Sequence, residues 1–231
     1  MVGRYGILLI FVCSYKRTIP KDMKLFKISM LMTAAAALIA SCAPKETPKA
    51  EIVLENILSR KSVRSYTDQK LTVDQIETLL KAGMAAPSGM NVQPWSFVVL
   101  QDPSRYETIF GPGNFNNRIY AQSAAVIVVC ADTTVVRRPQ GGGDPVAVPN
   151  GIWRDDAGAV TENILLAAEA MGLGAVWTAC YPYKDRYMPV KEALNLPAEV
   201  VPYSVVPVGY PAGDEQPKDK WDPTRIHYEA W

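Results

Sequence analysis

The sequence predicts an α+β domain across residues 51–231, and three observations predict it. Apolar residues recur at helical spacing in two long stretches, Val73 to Met84 and Ala157 to Met171. Three runs rich in branched apolar residues, Trp95 to Gln101, Ala124 to Ala131 and Val201 to Tyr210, have the length of strands. The composition, 48% hydrophobic and 20% charged with a formal net charge of +1 over 231 residues, fits one globular domain plus a short extension. That charge balance leaves no basic surplus for a nucleic acid and no long-range field to steer a charged partner.

The extension is residues 1–50. Tyr5 to Tyr15 is apolar but shorter than the roughly 17–25 residues that span a bilayer. A second start-like pattern follows, with Met23-Lys24-Leu25-Phe26-Lys27 as a basic n-region and Ile28 to Ile39 as an apolar h-region. Ile39-Ala40-Ser41-Cys42 resembles a bacterial lipobox, in which Cys42 becomes the lipidated residue after cleavage. This pattern implies translation from Met23 and a lipid anchor in the cell envelope. A signal peptide with an incidental cysteine fits the same residues, and a cytoplasmic protein follows if the signal is unused. Ala43 to Ala50 reads as a solvated tether.

Cys13 and Cys42 lie in the extension, Cys130 sits inside an apolar run and Cys180 stands alone after Trp177. With no CxxC spacing and a single histidine, His227, neither a structural disulfide nor a metal site is expected.

The domain opens with a helix, Glu51 to Ser59, that runs into Ser59-Arg60-Lys61-Ser62-Val63-Arg64-Ser65-Tyr66. Three cations and several hydroxyls in that octet suit a phosphate, arginine as a planar fork and lysine as a point charge; a solvated surface patch has the same composition. Thr72-Val73-Asp74-Gln75 is a capping box that starts the next helix. It delivers Ala85 to Trp95, a loop in which Pro87 and Pro94 fix φ while Gly89 allows close backbone approach or a positive φ. Ser88, Asn91 and Gln93 would then face one way with little entropy left to lose, although turn residues also suit an ordinary helix-to-strand connection.

After the strand Trp95 to Gln101, Asp102-Pro103-Ser104 turns into a short helix from Arg105 to Phe110. Gly111 to Arg118 is loop, then comes the buried strand Ala124 to Ala131. Arg137 to Gly151 reads as a flexible insert, with Phe115 to Tyr120 and this insert bordering a substrate opening. Gly141-Gly142-Gly143 is not a P-loop, because no Gly-Lys-Ser/Thr follows. From Ile152 one helical face carries Ala157, Val160, Ile164, Ala168 and Met171 up to the stop at Gly172. Gly172-Leu173-Gly174 ends this helix instead of following a strand, which excludes a dinucleotide fingerprint. Met188 to Leu194 is a further helix, Pro211 to Lys220 is polar, and Asp222 to Trp231 is aromatic enough to pack on the body or on a partner subunit.

Arg60-Lys61-Ser62-Val63-Arg64, followed one helix later by Pro87-Ser88-Gly89-Met90-Asn91-Val92-Gln93-Pro94-Trp95, resembles the FMN-dependent nitroreductase family, and residue 51 onward looks like that family throughout. The resemblance implies a central, mostly antiparallel sheet of four or five strands flanked by helices, and a homodimer with FMN at its interface. It implies that Arg60, Lys61, Ser62, Lys218 and Lys220 neutralise the FMN phosphate and that Arg64, Asn116 and Gln93 address the ring edge or ribityl chain. Loop Pro87, Ser88, Gly89, Met90 and Asn91 would meet the flavin from the other subunit, with the backbone of Trp177, Thr178 and Ala179 near its reactive edge. A family arginine is replaced by Lys220, losing the bidentate fork; a solvated tail explains Lys218 and Lys220 equally, as turn chemistry explains Asn116 and Asn117. In the family the helix after Ile152 lies in the dimer core, whereas its apolar face also suits the core of one chain.

The implied activity is a ping-pong, two-electron transfer from NAD(P)H to a nitroaromatic, quinone or similar flat acceptor. The flavin carries the chemistry and no catalytic side chain is required. Because NAD(P)H is cytosolic and a lipoprotein sits in the envelope, two other readings stay open: a flavin-dependent dehalogenase or ligand-fragmenting relative, and a non-catalytic lipid-anchored binding module.

Overall fold

The centre of the fold is the strand Ala125–Asp132, because every residue from Ala125 to Ala131 is apolar and fully buried. The computed structural model describes residues 48–231. The Met23 start, the apolar segments at 5–15 and 28–39, the lipobox and Cys42 lie outside the described residues. The helices are α1 (Lys49–Ser59), α2 (Val73–Met84), α3 (Tyr106–Phe110), α4 (Asn117–Gln122), α5 (Trp153–Ala170) and α6 (Lys184–Ala193). The strands are β1 (Trp95–Leu100), β2 (Ala125–Asp132), β3 (Thr134–Arg137), β4 (Val146–Pro149), β5 (Gly174–Ala175), β6 (Thr178–Ala179) and β7 (Val200–Gly209).

β1 and β7 flank β2, both antiparallel to it, with Trp95 opposite Ala131 and Val208 opposite Ala125. β5 and β6 pair antiparallel with the far side of β7, completing a five-stranded antiparallel sheet in an α+β fold. Side chains alternate along β2, so it feeds two cores. Ile127 and Val129 enter one with Leu79 of α2 and Val160 and Ile164 of α5; Val126, Val128 and Cys130 enter the other with Ile109 of α3, Tyr120 of α4 and Val190 of α6. Each such fully buried aliphatic side chain contributes about 1.5–3 kcal/mol.

α2 and α5 lie close because Gly83 faces Ile164, whose Cγ1 would be 3.0 Å from an added Cβ. The apolar face of α5 is therefore buried inside one chain, between α2 and the sheet, as Ala157, Val160, Ile164 and Ala168 show. The capping box at Thr72 forms as read, its hydroxyl accepting from Gln75 N–H at 3.2 Å and the Gln75 amide oxygen accepting from Thr72 N–H at 2.9 Å.

Three expectations need correction. Much of the supposed flexible insert is a β-hairpin, with Val135 opposite Val148 and Val136 opposite Ala147; paired branched residues outweigh the glycines, which form the loop at positive φ. The segment Gly174 to Ala179 is two short strands, interrupted where Val176 and Trp177 leave the ladder of β7. Of the two places expected for the tail, the body of its own chain is not the one seen: Trp221, Tyr228 and Trp231 are exposed, and among the described residues His227 stacks on Trp231, at 4.3 Å between ring centres, which leaves a partner subunit.

Candidate functional site

Two cationic segments distant in sequence meet because both are strapped to one sheet edge. Ser62 bridges Ala175 in parallel, and Val63 N–H donates to the Ala175 carbonyl at 3.0 Å. Tyr66 bridges Pro211, Thr67 N–H donates to Tyr210 at 2.9 Å and Ala212 N–H donates to Ser65 at 3.0 Å. The chain leaving β7 is thereby held beside residues 62–67, which carries residues 215–220 to Arg60 and Lys61. Gly174 permits the docking, since a Cβ there would lie 2.6 Å from Val63 Cγ1. The Tyr66 hydroxyl lies 2.7 Å from the Val63 carbonyl and 3.1 Å from that of Pro207. Burial, with the Glu215 carboxylate adding to it, pushes this phenol far above the usual tyrosine range, so it stays a neutral donor.

Arg60, Lys61, Ser62, Arg64, Glu215, Gln216, Lys218 and Lys220 line one cavity of about 360 Å³. An adjoining cavity shares Arg60, Lys218 and Lys220 and adds an apolar wall of Ile57, Leu58 and Trp221. Helix α5 supplies two counter-ions: Glu162 pairs with Arg60 at 3.2 Å and Glu169 with Lys61 at 2.9 Å. Glu162 and Glu169 stand two turns apart and so share a helix face. Glu215 Oε1 accepts from the Ser65 hydroxyl at 3.3 Å and from Arg64 N–H at 3.4 Å, while Oε2 is buried with no partner among the described residues. Five cations and a single carboxylate, Glu215, line the cavity, so its wall carries a positive surplus suited to an anion such as a phosphate monoester. The donor set therefore fits the phosphate end of FMN.

The other expected contacts lie elsewhere in the chain. No residue of the Pro87–Gln93 loop lines either cavity. Its positive φ angles fall on Met90 (52°), Asn91 (56°) and Gln93 (53°), not on Gly89. Gly89 instead makes room for Ile152, whose Cδ1 would lie 1.8 Å from an added Cβ. The loop's polar groups bond one another, with Gln93 N–H donating to Ser88 Oγ and the Gln93 amide donating to Asn91 Oδ1, both at 3.0 Å.

Asn116 is only 5% exposed, beside Tyr120, and lines neither cavity. Tyr120 is also buried and so does not border an opening; its hydroxyl lies 2.7 Å from Thr178 Oγ1, which donates to the Val205 carbonyl at 2.6 Å. Burial raises the Tyr120 pKa to about 12. Trp177 is half-buried against Tyr203, and the exposed Ala179 accepts from Arg186 at 3.4 Å.

Sequence reasoning missed Glu162, Glu169, Glu215 and Gln216. The seven-residue spacing of the first two on one helix was the available signal; Glu215 and Gln216 lay hidden in a polar segment.

The nitroreductase family model, described as "Nitroreductase family", matches residues 57–127 and 112–210. A protein of Archaeoglobus fulgidus described as an NADH dehydrogenase/NAD(P)H nitroreductase is 38% identical over 184 residues, covering 78% of this chain and 99% of that one. A Bacteroides thetaiotaomicron crystal structure of a protein with the same description is 40% identical with a TM-score of 0.69, covering 80% of this chain and 100% of that one. A nitroreductase of Desulfovibrio desulfuricans, solved in complex with FMN, is 29% identical with a TM-score of 0.65, covering 81% and 99%. A matched family model spanning the sheet and both of its cores, together with near-complete coverage of these relatives, shows that the chain belongs to the nitroreductase family.

Proposed function

We propose that this chain is an FMN-dependent oxidoreductase that takes reducing equivalents from NAD(P)H and passes them to a nitroaromatic, quinone or similar flat acceptor. The observation that carries this reading is the convergence of Arg60, Lys61, Ser62, Arg64, Lys218 and Lys220 on one cavity whose positive surplus suits a phosphate monoester. Relatives described as NADPH-dependent FMN reductase and NADPH-flavin oxidoreductase support the cofactor and the donor. Bound FMN supplies the redox chemistry, and the protein's part is to bind and orient it. Arg60, Lys61, Ser62, Lys218 and Lys220 hold the phosphate, and Arg64 stands beside them for the ribityl side. Asn116 is left out of this assignment because its side chain is buried beside Tyr120.

The working unit is a homodimer in which the loop Pro87–Gln93 of a second copy completes the site. Supporting this, α1 exposes Ile52, Val53, Leu54, Ile57 and Leu58, and the tail exposes Trp221, Tyr228 and Trp231, apolar side chains that a second copy would cover. The lipobox-like sequence further supports an anchor at Cys42 and a place in the envelope, where a reductant other than cytosolic NAD(P)H would have to reduce the flavin.

Purified protein reconstituted with FMN tests the reading. Bleaching of the flavin absorbance by NADH or NADPH, and its return when a quinone or nitroaromatic is added, is the expected result. Protein that takes up no flavin overturns it.

A further inference from the structure

We infer that Asp156 is a positioning residue that holds the loop Pro87–Gln93 in its cofactor-competent shape. This inference rests on the proposed flavin reading. The loop is conformationally demanding: Met90, Asn91 and Gln93 all sit at positive φ without being glycine, a state that persists only where the surroundings over-determine it. Most of the restraint is internal, through Asn91 N–H to the Ser88 carbonyl, Val92 N–H to the Gly89 carbonyl, and the Ser88, Asn91 and Gln93 side chains. Among the described residues, one hydrogen bond ties this loop to another element, from Gly89 N–H to Asp156 Oδ1 at 2.9 Å.

Asp156 is suited to that task and to little else visible. It is 5% exposed, lies in the first turn of α5, and its second oxygen is buried with no partner among the described residues. The N-terminal end of a helix is a favourable place for an acidic side chain. The same helix carries Glu162 and Glu169, which pair with Arg60 and Lys61. Helix α5 thus fixes both the cationic segment and the loop, and Asp156 is its handle on the loop. Ile152, one turn before Asp156, packs on Gly89 and restrains the same point.

The test compares Asp156→Asn with Asp156→Ala in the full chain. Asparagine keeps an oxygen that accepts from Gly89 N–H, whereas alanine removes it. FMN affinity is read by flavin fluorescence, and opening of the loop by amide hydrogen exchange at Gly89. Asp156→Ala is expected to weaken FMN binding by about tenfold and to speed Gly89 exchange, while Asp156→Asn restores both to within a few fold of the unmodified protein. If the alanine variant speeds Gly89 exchange but leaves FMN affinity and turnover unchanged, the positioning role is overturned while the flavin reading stands. If both variants weaken FMN equally, a general loss of packing replaces it. If the unmodified protein binds no FMN, both readings fall.

Discussion

Replacing Arg60 with alanine separates cofactor binding from folding. The Arg60 side chain is 17% exposed, lines the cavity and pairs with Glu162, itself 45% exposed, at 3.2 Å. An ion pair with so exposed a partner contributes about 0.2–1 kcal/mol to folding. The charge-assisted hydrogen bonds that Arg60 would give a phosphate contribute about 1.5–3 kcal/mol. The variant should therefore lose about 10–150-fold in FMN affinity, with a melting temperature lower by no more than a few degrees for a chain of this size. Fluorescence titration with FMN and thermal melting of the flavin-free protein measure the two effects on one preparation. Arg60→Lys should recover only part of the affinity, because lysine keeps the charge and loses the fork. Unchanged FMN affinity with a large drop in melting temperature would refute the reasoning and make Arg60 a structural residue.

Other perturbations reach different parts of the account. Gly174→Ala sets a Cβ 2.6 Å from Val63 Cγ1 and 2.7 Å from its Cβ; this overpacking should cost about 1–3 kcal/mol by urea unfolding, and weaken FMN binding by moving Ser62 and Arg64. At alkaline pH the domain should lose stability, because burial raises the thiols of Cys130 and Cys180 from 9.0 to about 12 and the phenols of Tyr106 and Tyr120 from 10.0 to about 12. The fold favours the protonated forms, so their contribution is complete below pH 9.0 and fades as pH climbs toward about 12; melting temperature flat across that interval contradicts these assignments. Palmitate labelling in a bacterial host should mark the unmodified chain and be absent from Cys42→Ala, and equal labelling of the two excludes Cys42 as the anchor.

The sheet was legible because its central strands are extreme. Ala124 to Ala131 and Val201 to Tyr210 are apolar on both faces, a pattern only a doubly covered strand needs. α2 was legible from its cap at Thr72 and Gln75, a local hydrogen-bond device that tertiary context left intact. The β3–β4 hairpin was hidden because Gly141, Gly142 and Gly143 dominate a window in which only Val135, Val136, Val146 and Val148 signal a strand. α6 begins a turn before Met188, and Tyr183 ahead of it makes no side-chain cap to mark the start.

In the site, the cations were legible from their chemistry, and their convergence depends on long-range backbone bridges at Ser62 and Tyr66 that no local pattern encodes. The counter-ions Glu162 and Glu169 resemble any solvated helix face until Arg60 and Lys61 are placed beside them. The same holds for Asp156, whose role depends on a partner 67 residues away in sequence.

Comparing FMN with riboflavin isolates the phosphate, the group proposed to sit among the five cations that line the cavity with Glu215. With two or more charge-assisted contacts to that group, FMN should bind at least about 100-fold more tightly than riboflavin at moderate salt. The preference should shrink when Lys218 and Lys220 are both replaced by alanine. Equal affinity for the two flavins, unaffected by those replacements, would contradict the assignment of this cavity.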